Sequence, residues 1–173
     1  MSNGSPKYYG VYRATVVNNI DPMQMARIQV IVIDVGGLIP SSWAMPCVPF
    51  AGKQSGTFVV PAIGSGVWVQ FENGDPDQPV WTGGWWGSAA EVPSIALAGN
   101  PVSPSILLQT GLQNMFLLSD LPGPTGGIIL KTTAGAFISI NDATGITISD
   151  GKGGMITLLG GLITINQGAL LIK

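Results

Sequence analysis

Short runs of β-branched and aromatic residues, separated by turn residues, occupy the first half of the chain. Runs at residues 10–18, 27–35, 43–48, 66–72 and 79–85 predict five strands. In the second run Ile28, Val30 and Val32 fall on one face, as the two-residue period of a strand requires. No stretch with a helical period is long enough for a helix. The pattern predicts an all-β fold in which residues 1–90 form a small five-stranded barrel.

The pattern changes after residue 90, where prolines are scattered among small and apolar residues. These prolines are Pro93, Pro101, Pro104, Pro122 and Pro124. Proline interrupts both helices and central strands, so residues 91–105 are predicted to form an extended linker. Residues 106–173 then form a second unit, whose entry segment ends at residue 120.

The second unit contains triads in which a serine or threonine lies between two aliphatic residues. The triads begin at Ile138, Ile146, Ile156 and Ile163, at intervals of 8, 10 and 7 residues. Such a strand places its aliphatic side chains on one face and its hydroxyl on the other, so that Thr147, for example, is expected to point outward. One short strand cannot bury its own aliphatic face, and the triads are therefore expected to stack along an axis.

We interpret these aliphatic residues as the core of a needle in which three identical chains intertwine about a common axis. A single-chain left-handed β-helix would need a steady period of about six residues, which is absent. The predicted core residues are Ile138, Ile140, Ile146, Ile148, Ile156, Leu158, Ile163 and Ile165. The glycines that precede the triads, predicted to turn corners that a Cβ would block, are Gly135, Gly145, Gly154 and Gly161. A flat meander of short hairpins is the alternative interpretation.

The composition also indicates an assembly. Charged residues make up 9% of the chain, against about 25% in an average soluble domain. A surface with so few charges is expected to be covered largely by other subunits, although a compact secreted β protein rich in serine and threonine is the alternative. The net charge of -2 provides no basic field for a nucleic acid or an anionic membrane. We find no signal sequence or membrane span, and expect synthesis in the cytoplasm without a signal peptide.

Candidate catalytic chemistry is scarce. The chain has no histidine, which removes the commonest general base and metal ligand. The single cysteine, Cys47, allows neither an intrachain disulfide nor a thiolate metal cluster. Glu72, Asp75 and Asp77 could supply the carboxylate pair of a glycosidase, but their place in a turn indicates bonds to the turn backbone. We therefore predict no enzyme activity, no metal and no cofactor.

Four tryptophans lie on or beside the last two predicted barrel strands. They could form a platform on which bases or sugars stack, but basic residues are nearly absent around them. Packing in the core or at a subunit interface is the preferred interpretation. The four residues are Trp68, Trp81, Trp85 and Trp86.

Longer motifs in the first half resemble the OB domain of phage baseplate spike proteins. They are the Asn-Asn-Ile-Asp-Pro motif at residues 18–22, the Arg-Ile-Gln-Val motif at 27–30, and the segments 67–76 and 79–87, in that order. Residues 126–173 resemble the β-helical needle of the same family, which includes type VI secretion spikes and extracellular contractile injection systems. Ala26 departs from the glycine that family members often have before the arginine, which puts a local turn in doubt.

The resemblance implies an N-terminal OB-type barrel followed by an intertwined trimeric β-helix whose ladder bonds join different chains. It implies a homotrimeric spike that plugs the inner tube at a baseplate hub and pierces the target envelope when a sheath contracts, with only transient membrane contact. The tryptophans would lie at the hub or between barrels. A conical tip protein would dock at Leu170, Leu171 and Ile172, where strand-like sequence continues. No lysozyme-like domain separates barrel and needle, so the resemblance implies no cell-wall hydrolysis.

Two other classes of function remain open at this point. An OB-type binding module for single-stranded nucleic acid or glycan is the first alternative, because OB folds often bind such ligands. A cell-wall hydrolase is the second.

Overall fold

The computed structural model describes residues 6–99, 102–103 and 105–172, with the backbone alone for residues 168 and 170–172. The chain divides into two compact units, residues 1–91 and 92–173. Strands predominate in both units, which confirms the predicted all-β fold class.

The first unit is built from short strands connected by turns. Its strands are β1 (Tyr12–Asn18), β2 (Gln29–Ile31), β3 (Met45–Pro46), β4 (Ala51–Gly52), β5 (Ser55–Gly56), β6 (Gly66–Phe71) and β7 (Pro79–Trp85). The helix α1 (Ile33–Gly36) and the 3-10 helices Glu72–Gly74 and Ala89–Glu91 are single turns.

Five of these strands form one sheet in the order β2-β1-β6-β7-β3. Neighbouring strands are antiparallel except β3 and β7, which run parallel. Isolated bridges from Ile28 to Ala44 and from Ile31 to Pro40 join the two ends of the sheet beside β2 and β3. The sheet therefore closes into the five-stranded OB-type barrel that was predicted.

The barrel core consists of alternate residues on the central strands. Val16, Val67 and Val69 are buried, and so are Ile28 and Val30. The alternation predicted for residues 28–32 is confirmed, since Val32 is also buried.

The predicted second strand, residues 27–35, is too long. Only Gln29–Ile31 is a strand, and Ile33–Gly36 forms the helical turn α1. The turn ends at Gly37, whose φ of 62° suits glycine and whose N–H donates to the Ile33 carbonyl at 3.2 Å. A glycine pair thus converts the end of an apolar strand pattern into a turn.

A single carboxylate organises the turn between β1 and β2. Asp21 accepts backbone bonds from the N–H groups of Met23 (2.9 Å) and Met25 (2.8 Å), and its Oδ1 lies 2.6 Å from Nη2 of Arg27. The Asp21 side chain is only 4% exposed. The bond from Arg27 is the main cause that lowers the pKa of Asp21 well below its ordinary value, and the backbone donors act in the same direction.

The second unit is a ladder of short strands. It contains β8 (Ser105–Gln109), β9 (Met115–Ser119), β10 (Gly127–Lys131), β11 (Phe137–Asn141), β12 (Gly145–Ser149), β13 (Met155–Leu159), β14 (Leu162–Ile165) and β15 (Leu170–Ile172). A 3-10 turn at Ser94–Leu97 interrupts the segment predicted to be an extended linker, and another lies at Asn166–Gly168.

Each strand of the second unit pairs antiparallel with the one before it, giving an eight-stranded sheet in the order β15 to β8. In this single chain the ladder bonds therefore lie between consecutive strands of the same chain, which differs from the expectation that they join different chains. The connections of only a few residues between strands explain this result, because a tight turn returns the chain beside the strand it has just left.

Glycine is required at several strand ends of this sheet. Gly135, Gly145 and Gly161 have positive φ, and a Cβ on Gly145 would overlap the carbonyl oxygen of Leu158. Gly154 differs from the prediction, because the positive φ in its turn belongs to Gly151 and Gly153. The space beside Gly154 is taken by the Asp150 carboxylate, which accepts its N–H at 2.9 Å.

Replacement of Asp21 by Asn is expected to lower the free energy of unfolding of the barrel at neutral pH. The folded-state pKa lies below the unfolded value of about 3.9, so the stabilisation is complete above that value and is lost as the pH falls towards the folded-state pKa. Urea unfolding followed by tryptophan fluorescence measures this, since every tryptophan lies in the first unit. Asp34→Asn is the control. The prediction fails if Asp21→Asn loses as much stability on acidification as the wild type.

Gly145→Ala is expected to destabilise the second unit more than Gly160→Ala. Both positions have positive φ, of 71° and 59°, so both variants carry a backbone penalty of roughly 1–2 kcal/mol. A Cβ on Gly160 meets no atom within 4 Å, whereas the overlap at Gly145 adds roughly 1–3 kcal/mol. Thermal unfolding followed by circular dichroism compares them, and equal losses would contradict the close approach to Leu158.

Candidate functional site

The register of the second sheet aligns aliphatic and aromatic side chains into two unbroken rows on one face. The first row contains Leu108, Phe116, Leu130, Ile138, Ile148, Ile156 and Ile165. The second contains Ile106, Leu118, Ile128, Ile140, Ile146, Leu158 and Ile163. We call these two rows the apolar face. The structure thus places all eight predicted core residues together on it.

The apolar face is open in the single chain. Ile148 is 44% exposed and Ile140 47%, and the value reaches 68% at Leu108. The seven strands β8 to β14, spaced about 4.8 Å apart, carry these rows over roughly 29 Å. Continuous apolar surfaces of this extent mark interaction sites in proteins. The face therefore requires a cover that the described part of the chain does not provide.

The opposite face of the sheet carries a central row of side chains that changes character along the sheet. In β8, β9 and β10 this row is apolar, with Leu117 only 1% exposed. From β11 to β14 it consists of Ser139, Thr147, Thr157 and Thr164. Serine and threonine are the less costly side chains to leave facing water, so the apolar face is the better candidate for a subunit interface.

The expectation that the hydroxyls point freely into solvent is wrong for Thr147, which is only 8% exposed. This residue occupies the middle of its strand, and Ser139 and Thr157 flank it on the neighbouring strands. A small side chain in that position is covered by its surroundings even on the polar face.

The first three strands of this sheet contribute to the apolar face although the triad pattern omitted them. Their members include Ile106, Leu108, Ile128 and Leu130. In these strands the middle residue is itself apolar, as at Leu107 and Ile129, so no polar residue marks the alternation. The two-residue spacing of the outer aliphatic residues was the signal that could have revealed them.

The tryptophans of the barrel divide between core and surface. Trp81 is buried, and its Nε1 donates to the Ala26 carbonyl at 3.2 Å, so it packs in the core and is not an interface residue. Trp86 is 64% exposed. Trp68 and Trp85 lie with their ring centroids 6.3 Å apart on the outer surface of the barrel.

A single cation completes this aromatic surface. The Arg13 guanidinium carbon lies 5.6 Å from the centroid of Trp68 and 5.1 Å from that of Trp85. Trp85 is fixed in turn by a bond from its Nε1 to the Val67 carbonyl at 3.1 Å. The sequence pattern did not identify Arg13. One exposed arginine between two indoles suits a contact with another protein better than the tracking of a polyanion.

The carboxylate of Asp75 bonds to the backbone of the barrel hairpin turn. Oδ1 of Asp75 accepts the N–H of Asp77 at 3.1 Å, and the Asp77 carbonyl accepts the hydroxyl of Ser42 at 2.6 Å. These bonds fit the structural interpretation of the Asp-Pro-Asp sequence.

The predicted tip-docking residues lie at the last strand. The backbone of Leu170, Leu171 and Ile172 pairs with β14 and continues the rows of the sheet, but their side chains lie outside the described ones. Across residues 6–99, 102–103 and 105–172, no helix has the length and apolar character needed to cross a membrane.

Two family models match this chain. Residues 12–86 match the type VI secretion system and phage-baseplate injector OB domain. Residues 105–171 match the phage baseplate V C-terminal trimerisation domain. The first match contains the sheet of the barrel, and the second contains the sheet that bears the apolar face.

Two curated relatives share a short segment with the chain. The type VI secretion system spike protein VgrG3 of Vibrio cholerae is 46% identical over 43 residues. The actin cross-linking toxin VgrG1 of Vibrio cholerae is 49% identical over 43 residues. Each match covers 25% of this chain and 4% of the relative, so it spans only a small part of either relative. The two family matches, each on the unit whose architecture it describes, show that the chain belongs to the baseplate spike proteins of phage tails and type VI secretion systems.

Proposed function

We propose that this chain is the homotrimeric central spike of a contractile injection machine. Its barrels plug the inner tube at a baseplate hub, and its needle is driven through the target envelope when the sheath contracts. The apolar face carries this proposal, because two rows of exposed aliphatic side chains along a narrow sheet require other chains to cover them. The match of the same residues to a trimerisation domain supports three copies.

Three narrow sheets can enclose their apolar faces around one axis. Covering a half-exposed isoleucine contributes about 1 kcal/mol, so the whole face contributes on the order of 10 kcal/mol per chain before the entropy of association is subtracted. The trimer buries in this way what a single sheet leaves exposed.

The proposed mechanical role follows from the fact that hydrogen bonds lie within each chain and apolar contacts lie between chains. Each chain pairs all its neighbouring strands by its own ladder, so axial compression acts on hydrogen bonds that do not depend on assembly. The apolar contacts between chains then resist bending and splaying. This role is mechanical and requires no catalytic residue.

The two units of the chain are proposed to bind different partners. The surface formed by Arg13, Trp68, Trp85 and Trp86 suits the hub, since tryptophan and arginine dominate the energetics of protein interfaces. In the second unit β15 pairs, among the described residues, only with β14, which leaves a strand edge that a conical tip protein could extend.

Ile156→Asp is expected to abolish trimer formation, whereas Thr157→Asp on the opposite face should leave a trimer with reduced stability. The first substitution would bring three carboxylates together near one axis, each at a desolvation cost of several kcal/mol. Thr157 is half-buried on the polar face and lies away from that axis. Native mass spectrometry gives the subunit number, and circular dichroism verifies folding. Equal loss of trimer in both variants would contradict the assignment of the interface.

In the organism that makes the particle, Ile156→Asp is expected to eliminate delivery into target cells. Ile156→Val, which keeps the apolar row, should retain most of it. Electron microscopy counts assembled particles, and a reporter cargo in the target cell measures delivery. Undiminished delivery by the Ile156→Asp strain would contradict the proposed function.

A further inference from the structure

Among the described residues of the second unit, the charged side chains lie only in turns and at one strand end. The strand ends and the turns between them form two long edges of the sheet. Lys131 ends β10 on one of these edges, and Lys152 lies in the β12–β13 turn on the same edge. Asp120 and Asp142 lie in turns of the other edge. Asp150 shares the lysine edge, where its Oδ1 accepts the N–H groups of Lys152 at 2.7 Å and Gly154 at 2.9 Å.

The two aspartates flank a recess at the amino end of β10. Asp120, Asp142 and Gly127 are among the residues that line it, and its volume is about 720 Å³. Asp120 follows β9 and Asp142 follows β11, so the carboxylates lie on either side of β10. Lys131 lies at the carboxyl end of this same strand.

A buried side chain holds the recess in shape. Asn141, which is 7% exposed, donates from Nδ2 to the carbonyls of Gly123 (2.6 Å) and Gly126 (2.7 Å). Its Oδ1 accepts the N–H groups of Ala143 (2.7 Å) and Thr144 (3.2 Å). One amide thus fixes both turns that carry the aspartates, and the recess is formed before any partner arrives.

Trimer geometry brings the recess and the lysine together. If three narrow sheets turn their apolar faces to one axis, the edge of each sheet at which β10 ends lies beside the edge of the next sheet at which β10 begins. The three copies then form a closed head-to-tail ring. Rotation about the axis leaves β10 at the same height in every copy. The carboxyl end of β10 in one copy then meets the amino end of β10 in its neighbour.

We propose that the Lys131 ammonium group of each copy enters the recess between Asp120 and Asp142 of the next copy. The inference rests on the proposed trimer and identifies a contact within it. Charge complementarity supports it: in the part of the chain that the structure describes, the ion pair formed is that of Asp21 with Arg27, which leaves Lys131 and both aspartates without one. The partner of the recess is therefore a second copy of this chain.

The contact would set the axial register of the needle. Aliphatic side chains recur on every strand of the apolar face, so a slip by one strand would still place aliphatic rows together. The same slip would displace Lys131 from the recess by about 4.8 Å. Exposed ion pairs add little stability, but they discriminate between alternative alignments of otherwise similar surfaces.

Zero-length carbodiimide cross-linking tests the contact in the full chain. Trimers assembled from a mixture of ¹⁴N-labelled and ¹⁵N-labelled protein should give mixed-isotope cross-linked peptides that join Lys131 to Asp120 or Asp142. Lys152 is the internal control, and its links to Asp120 should be absent. A trimer whose Lys131 forms links only within one copy, or only to other carboxylates, overturns the inference and leaves the proposed trimer standing. A folded monomer overturns both.

A charge-reversal pair gives an independent test. Lys131→Glu should lower the melting temperature of the trimer, and a moderate increase in salt should restore part of the loss, because like charges then meet at three contacts. The pair Asp120→Lys and Asp142→Asn should change the melting temperature more favourably when it is added to the Lys131→Glu variant than when it is added to the wild-type protein. Additive effects of the two sets overturn the inference.

Discussion

The rest of this molecule depends on one constraint, which is that a narrow sheet with two apolar rows cannot cover itself. Five-residue strands leave room for two rows on that face, and the connections between the strands are tight turns, so no described segment of the second unit returns to lie across it. We propose that the hydrophobic effect then acts between chains. The small number of charged residues in the sequence agrees with this constraint, since charged residues are depleted at the centre of a surface that is buried on assembly.

Hydrogen bonds and apolar contacts are divided between two levels of structure. The ladder is complete within each chain, so the strands are held before assembly, and we propose that the apolar face supplies the attraction between chains. Such a division suits a part that must be narrow and stiff. The two levels are expected to fail separately, because a substitution at Gly145 should affect the fold of one sheet, whereas a substitution in the row of Ile156 should affect assembly.

The strands and the faces on which their side chains lie could be predicted from the sequence, because local periodicity encodes them. The two-residue period at residues 28–32 and the Ile-Thr-Ile triads define strand faces, and the structure has both. The ladder partners were missed, because periodicity defines which side chains share a face but not which chain supplies the neighbouring strand. Trp81 and Arg13 show the same limit. An aromatic residue in a strand can pack inward or outward, and the closed barrel places Trp81 in the core. The same barrel places Arg13 between two indoles.

The central claim is that the apolar face is buried between three copies of the chain. Sedimentation equilibrium of the purified protein over a wide range of concentrations tests it most directly. The account predicts one species of three times the 17.9 kDa chain mass, persisting into the lowest measurable concentrations. A folded single chain that remains monomeric at micromolar concentration would contradict it.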